Sequence, residues 1–399
     1  MRLLHTSDWH LGRSLHGVDL LEHQAAYLDH LVEVTRTEGV DAVLVAGDIY
    51  DRAVPPVEAV TLLSETLARL AEHAVVVLTP GNHDSAIRLG FGAGLMRAGV
   101  HLRTRVADVA SPVTLVPRPG SGEPAVLVYG LPYLDPDVVR RSLAPDRDTP
   151  LARSHEAVTG AAMDRVRADL EARTAAATAA GDARPRAVVL AHAFVLGGAA
   201  SESERDIRVG GVDHVPAGVF AGMDYVALGH LHGPQRIGGP AGTLLRYSGS
   251  PLAYSFSELH QVKSSVLVDV GPDGVVGEPR LVAAPVPRRL ADVTGTLADL
   301  LGAAGEAYLA DWVRVTVTDA ARPTELYARV RERFPHALVV QHRPPTSAVR
   351  AHVVVTSARD PLEVAAEFVE HVTAAGPTDA EAGALRSALE HVLALERSA

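Results

Sequence analysis

Residues 2–12 of this 399-residue chain read RLLHTSDWHLG, an apolar run that leads directly into polar side chains. The run predicts a buried β-strand over residues 2–6, and Asp8 and His10 follow it. In extended chain, residues two apart point to the same side, so Asp8 and His10 can act as a pair of metal ligands. Four later segments repeat this pattern of a predicted strand followed by polar side chains, and the five segments together indicate the fold.

The four later segments each combine a predicted strand with a polar motif at its end. The motifs are GDIYDR (residues 47–52), GNHD (81–84), AH (191–192) and GHLH (229–232), and the strands before them are predicted at 41–46, 74–79, 187–191 and 225–228. Further strands are predicted at 125–129, 244–247 and 264–270, and helices at 20–38, 57–72 and 163–180. Alternating strands and helices predict a layered α/β core. Ligands of such sheets bind beyond the carboxyl ends of the strands, where all five motifs can meet.

Proline-rich breaks divide the rest of the chain. The segments PVP (residues 285–287) and PP (344–345) predict three parts: a core over 1–285, a small α+β capping domain over 286–345, and C-terminal helices over 346–399. Within the capping domain we expect a strand at 312–317, a helix at 325–334 and a strand at 337–341. Two terminal helices are expected at 362–373 and 380–397.

Composition excludes several kinds of site and of protein. The chain has no cysteine, which excludes disulfides, thiolate metal sites and cysteine nucleophiles. The longest apolar stretch, residues 187–200, is interrupted by a histidine and two glycines and is too short to span a bilayer. The first residues already have the pattern of a strand, which leaves no room for a secretory signal. We therefore expect a soluble cytoplasmic protein.

The formal net charge of −11 argues against a protein that grips nucleic acid with a broad basic face. Bound metals change this argument at the site itself. Two divalent ions would outweigh the charges of Asp8 and Asp48, so a phosphodiester could still be held locally.

The five motifs together offer two carboxylates, one amide and four imidazoles as ligands, with one further imidazole to spare. Such a set can hold two divalent metals a few ångströms apart, an arrangement used for in-line displacement at phosphorus. A water that bridges both metals loses its proton near neutral pH, and the resulting hydroxide attacks phosphorus. Mixed nitrogen and oxygen ligands without sulfur suit Mn, Fe or Zn.

The motif order D-x-H, G-D-x-x-D, G-N-H-D and G-H-x-H resembles that of the calcineurin-like metallophosphoesterases. Three stretches are similar, more narrowly, to the SbcD group of bacterial nuclease subunits within that superfamily: LHTSDWHLG (4–12), EHQA (22–25) and SGSP (248–251). The resemblance covers residues 1 to 285, whereas the last hundred residues match only in the order and size of their elements. It implies the layered metallophosphoesterase core that the alternating elements also predict.

The resemblance also implies a ligand set for two metal ions, with Mn²⁺ as the metal. One ion would be held by Asp8, His10, Asp48 and His232. The other would be held by Asp48, Asn82, His192 and His230, so that the Asp48 carboxylate bridges the pair.

Four further residues near these ligands have open roles. His83 is interpreted as the group that protonates or hydrogen-bonds the leaving oxygen, with a purely structural histidine as the alternative. Asp51 could accept from the His83 ring and keep it cationic, or it could be a solvated loop acid. The Arg52 guanidinium could bind a phosphate through two hydrogen bonds, and it could equally have no part in the chemistry. Asp84 could brace its loop or cap the next helix.

The resemblance implies a metal-dependent DNA nuclease. It would act as a single-strand endonuclease and an ATP-dependent double-strand 3′–5′ exonuclease on hairpins and DNA ends, in repair, recombination and replication. The alternative is a small-molecule phosphatase or cyclic-nucleotide phosphodiesterase, which would use the same chemistry. A catalytically inactive scaffold is disfavoured because no ligand is missing.

Two kinds of partner are expected. The chain has no G-x-x-x-x-G-K-[ST] motif and only one lysine, Lys263, so ATP must act through a partner. The resemblance implies that this partner is SbcC, an SMC-like ATPase, whose coiled coil would bind the apolar stripe of the terminal helices; the stripe could otherwise be ordinary core. Residues 57–72 and 87–97 resemble the segments through which family members form a two-fold homodimer, here within a heterotetramer.

Overall fold

The computed structural model describes residues 1–96, 99–117, 123–146, 148–205, 214–345, 360–373 and 375–396. The chain divides into two compact units, Met1–Arg343 and Pro344–Ala399. Among the described residues, we find no helix with the length and apolar character needed to cross a membrane.

The strands of the described residues are β1 (Arg2–Thr6), β2 (Ser14–Leu15), β3 (Val18–Asp19), β4 (Ala42–Ala46), β5 (Val75–Thr79), β6 (Val100–Leu102), β7 (Val113–Leu115), β8 (Val126–Gly130), β9 (Arg186–His192), β10 (Tyr225–Gly229), β11 (Gln235–Ile237), β12 (Leu244–Tyr247), β13 (Ser264–Gly271), β14 (Gly274–Val275), β15 (Arg280–Ala283), β16 (Leu290–Gly295), β17 (Trp312–Val317) and β18 (Ala337–His342). Their helices are α1 (Leu21–Thr37), α2 (Val57–Leu70), α3 (Ala86–Leu89), α4 (Pro136–Val139), α5 (His155–Ala180), α6 (Leu297–Leu301), α7 (Leu326–Arg333), α8 (Pro361–Thr373) and α9 (Asp379–Glu396).

Two sheets form the core of the first unit. The first has the strand order β14-β13-β1-β4-β5-β6, with β15 also paired to β13. In it, β1, β4, β5 and β6 run parallel, and β13 is antiparallel to β1. The second has the order β11-β12-β10-β9-β8-β7, in which β12, β10, β9 and β8 run parallel. The carboxyl ends of parallel strands therefore meet at one edge of each sheet.

The two sheets pack face to face and helices cover their outer faces. Residues such as Leu44 of the first sheet and Val188 of the second lie in one buried cluster between the sheets. Leu28 of α1 and Leu67 of α2 pack on the outer face of the first sheet. Met163 of α5 packs on the outer face of the second. This confirms the predicted layered α/β core, in which each large apolar side chain that is buried contributes about 1.5–3 kcal/mol.

Residues 290–342 build a smaller parallel sheet of order β16-β17-β18. It has its own buried cluster, which includes Val315 of β17 and Val330 of α7. Trp312 instead packs with Leu20 and Tyr254 of the larger layers. That residues 286–345 form a capping domain of their own stays a prediction.

The second unit contains α8 and α9. The Thr378 hydroxyl accepts from the backbone N–H of Glu381 (3.4 Å), and the Glu381 carboxylate accepts from the Thr378 N–H (2.8 Å). This reciprocal capping box starts α9. The two helices span 361–373 and 379–396, close to the predicted bounds. Residues 346–359 and 397–399 of the predicted terminal region lie outside the described residues.

Candidate metal centre

The five motifs lie at the carboxyl ends of five parallel strands. Asp8 and His10 follow β1, Asp48 follows β4, and Asn82 follows β5, and these three strands are neighbours in the first sheet. His192 is the last residue of β9, and the motif of residues 229–232 begins at the end of β10, its neighbour in the second sheet. The motif side chains of the two sheets therefore meet where the carboxyl ends of the strands of both sheets lie side by side.

The backbone at this edge is strained. Asp8 (φ 54°), His10 (φ 46°), Asp48 (φ 49°) and His230 (φ 105°) are in the left-handed region, which costs about 1–3 kcal/mol for each non-glycine residue. Hydrogen bonds hold two of these loops together: the Asp8 N–H donates to the Gly47 carbonyl, and the His10 N–H donates to the Asp48 carbonyl, both at 3.0 Å. Such strain is typical of functional sites.

The glycines of the motifs make room for the ligands. A Cβ on Gly81 would lie 2.1 Å from Asp48 Oδ1. A Cβ on Gly47, which also has φ of +85°, would lie 2.3 Å from His192 Nδ1. Both positions therefore require glycine because a ligand side chain occupies the space of the missing Cβ.

One group of donors gathers around His10. Its Nε2 lies 3.1 Å from Nε2 of His232. Asp8 joins these two histidines, with one ligand atom of each residue within 4.8 Å of the others. Three buried donors that face one point have the geometry and chemistry of a metal site.

A second group of donors gathers around Asn82. Its Oδ1 lies 2.9 Å from His192 Nε2 and 3.3 Å from His230 Nδ1. Asp48 Oδ2 stands between the two groups, 3.4 Å from His192 Nε2 and 3.6 Å from His10 Nε2. This carboxylate is therefore placed to contact a metal in either group.

The donor set fits two metal ions. All seven expected ligands converge, and the six acidic and histidine ligands are each at most 4% exposed. Asn82 Nδ2 and His10 Nδ1 have no hydrogen-bond partner among the described residues. The grouping is looser than expected in one respect, because Asp8 also lies within reach of Asp48 and His192.

Burial and neighbouring charges control ionisation in the cluster. Burial lowers the pKa of His10 and of His230 well below the usual range, which keeps both rings neutral, as metal ligation requires. Burial acts to lower the pKa of His192, but the Asp48 and Asp8 carboxylates and the Ala46 carbonyl together outweigh it and raise that pKa to about 9. His192 and Asp48 thus form an ion pair whose proton a metal must displace.

His83 lies beside both groups. Its backbone N–H donates to Asp48 Oδ1 (2.9 Å), and its ring Nε2 is 3.9 Å from Asp48 Oδ2. At 7% it is the most exposed histidine of the site, and burial lowers its pKa. One ligand atom of His83 also lies within 4.8 Å of ligand atoms of His10 and Asp48, so the geometry alone also permits ligation.

The expected contact between the Asp51 carboxylate and the His83 ring is not formed. His83 Nδ1 instead bonds to the main-chain carbonyl of Asp51 (2.7 Å). The Asp51 carboxylate points away from the His83 ring and lies between His10 Nδ1 (3.8 Å) and the Arg13 guanidinium (3.7 Å). Asp51 therefore orients the His83 ring through its backbone, and burial, which lowers the pKa of the ring, outweighs the opposing charge of the Asp51 carboxylate.

Arg52 and Asp84 have contrasting positions. The Arg52 side chain is 64% exposed and contacts only Asp51, at 4.0 Å, among the site residues, so the structure does not bring it to the ligands. Asp84 accepts backbone N–H groups of Ile49 (3.0 Å), Tyr50 (2.9 Å) and Gly81 (2.8 Å). Asp84 thus braces the loops that carry Asp48 and Asn82, while Ser85 caps the next helix.

Sequence reasoning missed the polar residues that support the ligands. Gln24 donates to the His10 carbonyl (2.8 Å), and Glu204 accepts the His232 N–H (2.9 Å). Glu258 and Lys263 are buried behind His232. Two signals were present in the sequence: Gln24 lies in the stretch EHQA (22–25), and Lys263 is the only lysine of the chain and stands beside a strand of apolar residues.

Two family models match the chain. The family model of the calcineurin-like phosphoesterases matches residues 1–234. A second model, SbcD_C, described as the type 5 capsule protein repressor C-terminal domain, matches residues 286–373.

Two solved structures are similar over most of their length. TT1561 of Thermus thermophilus is 14% identical, with 70% of this chain and 98% of that chain covered and a TM-score of 0.38. A dimetal phosphatase from Danio rerio is 12% identical, with 71% and 99% covered and a TM-score of 0.39. The first family match spans more than half of the sequence, and the chain therefore belongs to the calcineurin-like phosphoesterases.

Proposed function

We propose that this phosphoesterase is a metal-dependent DNA nuclease of the SbcD type. It would cleave single strands as an endonuclease and duplex ends as an ATP-dependent 3′–5′ exonuclease, in complex with the ATPase SbcC. The observation that carries the two-metal chemistry of the proposal is the position of Asp48, whose Oδ2 lies within 3.6 Å of donors from both ligand groups. The match of residues 286–373 supports a nuclease over a phosphatase.

The proposed ligands are those expected from the sequence. Asp8, His10, Asp48 and His232 would hold one ion, and Asp48, Asn82, His192 and His230 the other. Two divalent ions, which we propose to be Mn²⁺, would supply Lewis acidity and an activated water for in-line displacement at phosphorus. The protein's part is to fix the donors in a dry site and to exclude other geometries.

His83 is proposed as the proton donor to the leaving oxygen. A carbonyl only accepts hydrogen bonds, so the bond to Asp51 places a proton on Nδ1. In the neutral ring Nε2 then carries no proton, and His83 can donate from Nε2 only when the ring is protonated. Arg52, exposed at the edge of the site, is proposed as a phosphate contact that forms when substrate is bound.

The proposal is tested by titrating Mn²⁺ into metal-free protein and assaying single-stranded DNA, blunt duplex, a chromogenic phosphodiester and a chromogenic phosphomonoester. We expect metal-dependent cleavage of single-stranded DNA and of the diester, and duplex digestion only with SbcC and ATP. Asp48→Ala should lose both the activity and the stoichiometry of two metals, measured by elemental analysis.

Two results would contradict the proposal. A preference for the monoester, or for a cyclic nucleotide, with DNA left intact would favour the small-molecule alternative. Retention of two metals per chain by Asp48→Ala would remove the bridging role of that residue. Arg52→Gln is the control for substrate binding, since it should raise KM and leave the metal stoichiometry unchanged.

We also propose a homodimer, formed through the patch of exposed apolar side chains on α2 and on residues 87–96, which we call the α2–α3 patch. Its main members are Val57 (75% exposed), Ile87 (90%), Phe91 (86%) and Leu95 (90%). Apolar patches of this kind on a soluble protein are typical of protein interfaces. Light scattering at micromolar concentration should give a dimer mass for the wild type and a monomer mass for Phe91→Asp. A monomeric wild type would contradict the proposal.

A further inference from the structure

Two buried charges of opposite sign lie behind His232. The Glu258 side chain is fully buried and the Lys263 side chain is only 3% exposed. Removing two charges from water is costly, and even a buried ion pair often adds no net stability. A pair in this position therefore requires an explanation. The two residues lie outside every motif of the metal site.

The ring of His232 is fixed through the nitrogen that faces away from the metal site. Nε2 faces His10, whereas Nδ1 lies 2.5 Å from Ser203 Oγ and 3.3 Å from Glu258 Oε1. The Ser203 hydroxyl itself donates to Glu258 Oε1. Ser203 Oγ must then accept from Nδ1, which carries the proton. The lone pair of Nε2 is thereby directed at the metal site.

Lys263 fixes the carboxylate and the backbone of the same histidine. Its three N–H groups are shared among four acceptors around Nζ: Glu258 Oε2, the His232 carbonyl (3.0 Å), Ser250 Oγ (2.9 Å) and Gln261 Oε1 (2.7 Å). Carbonyl and carboxylate oxygens only accept, so the ammonium is the form that these partners need. One cation thus holds both the main chain of His232 and the acid that orients its ring.

We propose that Glu258, held by Lys263 and Ser203, is a positioning residue that sets the tautomer and the orientation of His232 for metal binding. This inference rests on the proposed role of His232 as a ligand. Partners of this kind behind a ligating histidine change metal affinity by about 10–100-fold when they are removed. The residues at 203, 258 and 263 would therefore belong to the metal site although none touches a metal.

The test is calorimetric titration of Mn²⁺ into metal-free full-length protein, with Co²⁺ absorption spectra as a second readout. Glu258→Gln should weaken one of the two metal sites by about 10–100-fold, leave the other unchanged and alter the Co²⁺ spectrum. Because this variant leaves Lys263 unpaired and could fail to fold, the double variant Glu258→Gln/Lys263→Met decides the question. It removes the pair without a stranded charge and should show the same loss.

The matched control is Asp224→Asn. Asp224 accepts from the Arg186 guanidinium (3.3 Å) and the Ala187 N–H (2.7 Å), at the ends of β9 and β10 opposite the metal site. The Asp224→Asn variant should lower the melting temperature of the protein and leave the affinities of both metal sites unchanged. Wild-type affinity and spectrum in the double variant would overturn the inference. His232→Ala separates the two proposals, since it loses one metal if His232 is a ligand, whatever Glu258 does.

Discussion

The ring of His83 is bonded to the main chain of Asp51 and not to its carboxylate: Nδ1 lies 2.7 Å from the Asp51 carbonyl oxygen. The Asp51 carboxylate lies 3.7 Å from Arg13 instead. A backbone acceptor fixes the direction of the ring without adding a negative charge beside it. The roles of the two side chains can therefore be separated by substitution.

His83→Ala should keep both metals and lose about two to four orders of magnitude in kcat, the usual scale of a general-acid contribution. The reason is that the backbone of residue 83, which donates to Asp48 Oδ1, remains in place while the ring is removed. Single-turnover rates and elemental analysis measure the two quantities. If His83→Ala lost metal as fully as His230→Ala, His83 would be a ligand, as its nearness to Asp48 allows.

Asp51→Asn should change kcat by less than about tenfold, an effect below about 1.4 kcal/mol. The variant keeps the carbonyl that orients His83 and replaces a carboxylate that is 3.8 Å from His10, beyond hydrogen-bonding distance. The measurement is kcat across about pH 5 to 8, the range in which a histidine changes its charge. A loss as large as that of His83→Ala would mean that the carboxylate has a direct part in proton transfer.

Gly81→Ala should abolish binding of at least one metal. The added Cβ would lie 2.1 Å from Asp48 Oδ1 and 2.3 Å from the Asp48 backbone nitrogen, so the bridging carboxylate must move. Gly160→Ala in α5 is the matched control, because its Cβ meets nothing within 4 Å. The control should bind metal normally and gain about 0.5–1 kcal/mol in the free energy of unfolding. Normal metal stoichiometry in Gly81→Ala would show that the loop can relax.

The sequence predicted the elements that carry the site because apolar strands and motif residues are local signals. Strands such as Arg2–Thr6 and Trp312–Val317 have the predicted bounds. Helix α5 begins at His155, earlier than predicted, because Ser154 caps it and accepts from the Ala157 N–H. The strand Leu290–Gly295 was not predicted.

The support behind the ligands could not be predicted in this way. Glu258 and His232 meet across 26 residues, and Ser203 and His232 across 29. Such contacts depend on how two loops pack, and no local pattern encodes that packing. The bond from His83 to a backbone carbonyl is equally invisible in a sequence, which shows only that an acid and a histidine are present.

His5 should make the metal-free protein sensitive to acid. Burial lowers the pKa of its ring to about 3, whereas an unfolded histidine has a pKa of about 6.5. Below pH 6.5 the unfolded chain therefore binds a proton that the folded chain does not. This costs up to about 1.4 kcal/mol of unfolding free energy per pH unit, down to a pH of about 3. Above pH 6.5 His5 has no effect on the slope.

Urea unfolding of the wild type and His5→Gln from pH 7 to pH 4 measures this contribution as the difference between the two slopes. EDTA is present in both series, so that loss of metal cannot contribute. His73→Gln, at an exposed position, is the control and should keep the wild-type slope. Equal slopes for the wild type and His5→Gln would show that His5 is protonated in the folded chain.

The terminal helices should be needed for partner binding and not for chemistry. Phe368 of α8 is 67% exposed, which leaves a large apolar ring on the surface of the second unit. Deletion of residues 358–399 should leave metal-dependent cleavage of single-stranded DNA intact, because every proposed ligand lies before residue 233. The deletion should abolish binding to SbcC and ATP-dependent digestion of duplex ends.

A point substitution makes this last prediction sharper than the deletion. Phe368→Glu places a charge in the apolar stripe, and burying an unpaired charge in an interface costs enough free energy to prevent binding. Ser387→Glu on α9 adds the same charge at an exposed polar position and should bind SbcC normally. Pull-down with SbcC and both nuclease assays are run on each variant. If Phe368→Glu and the deleted chain both retained the partner and digested duplex ends with ATP, SbcC would dock on another surface of the protein.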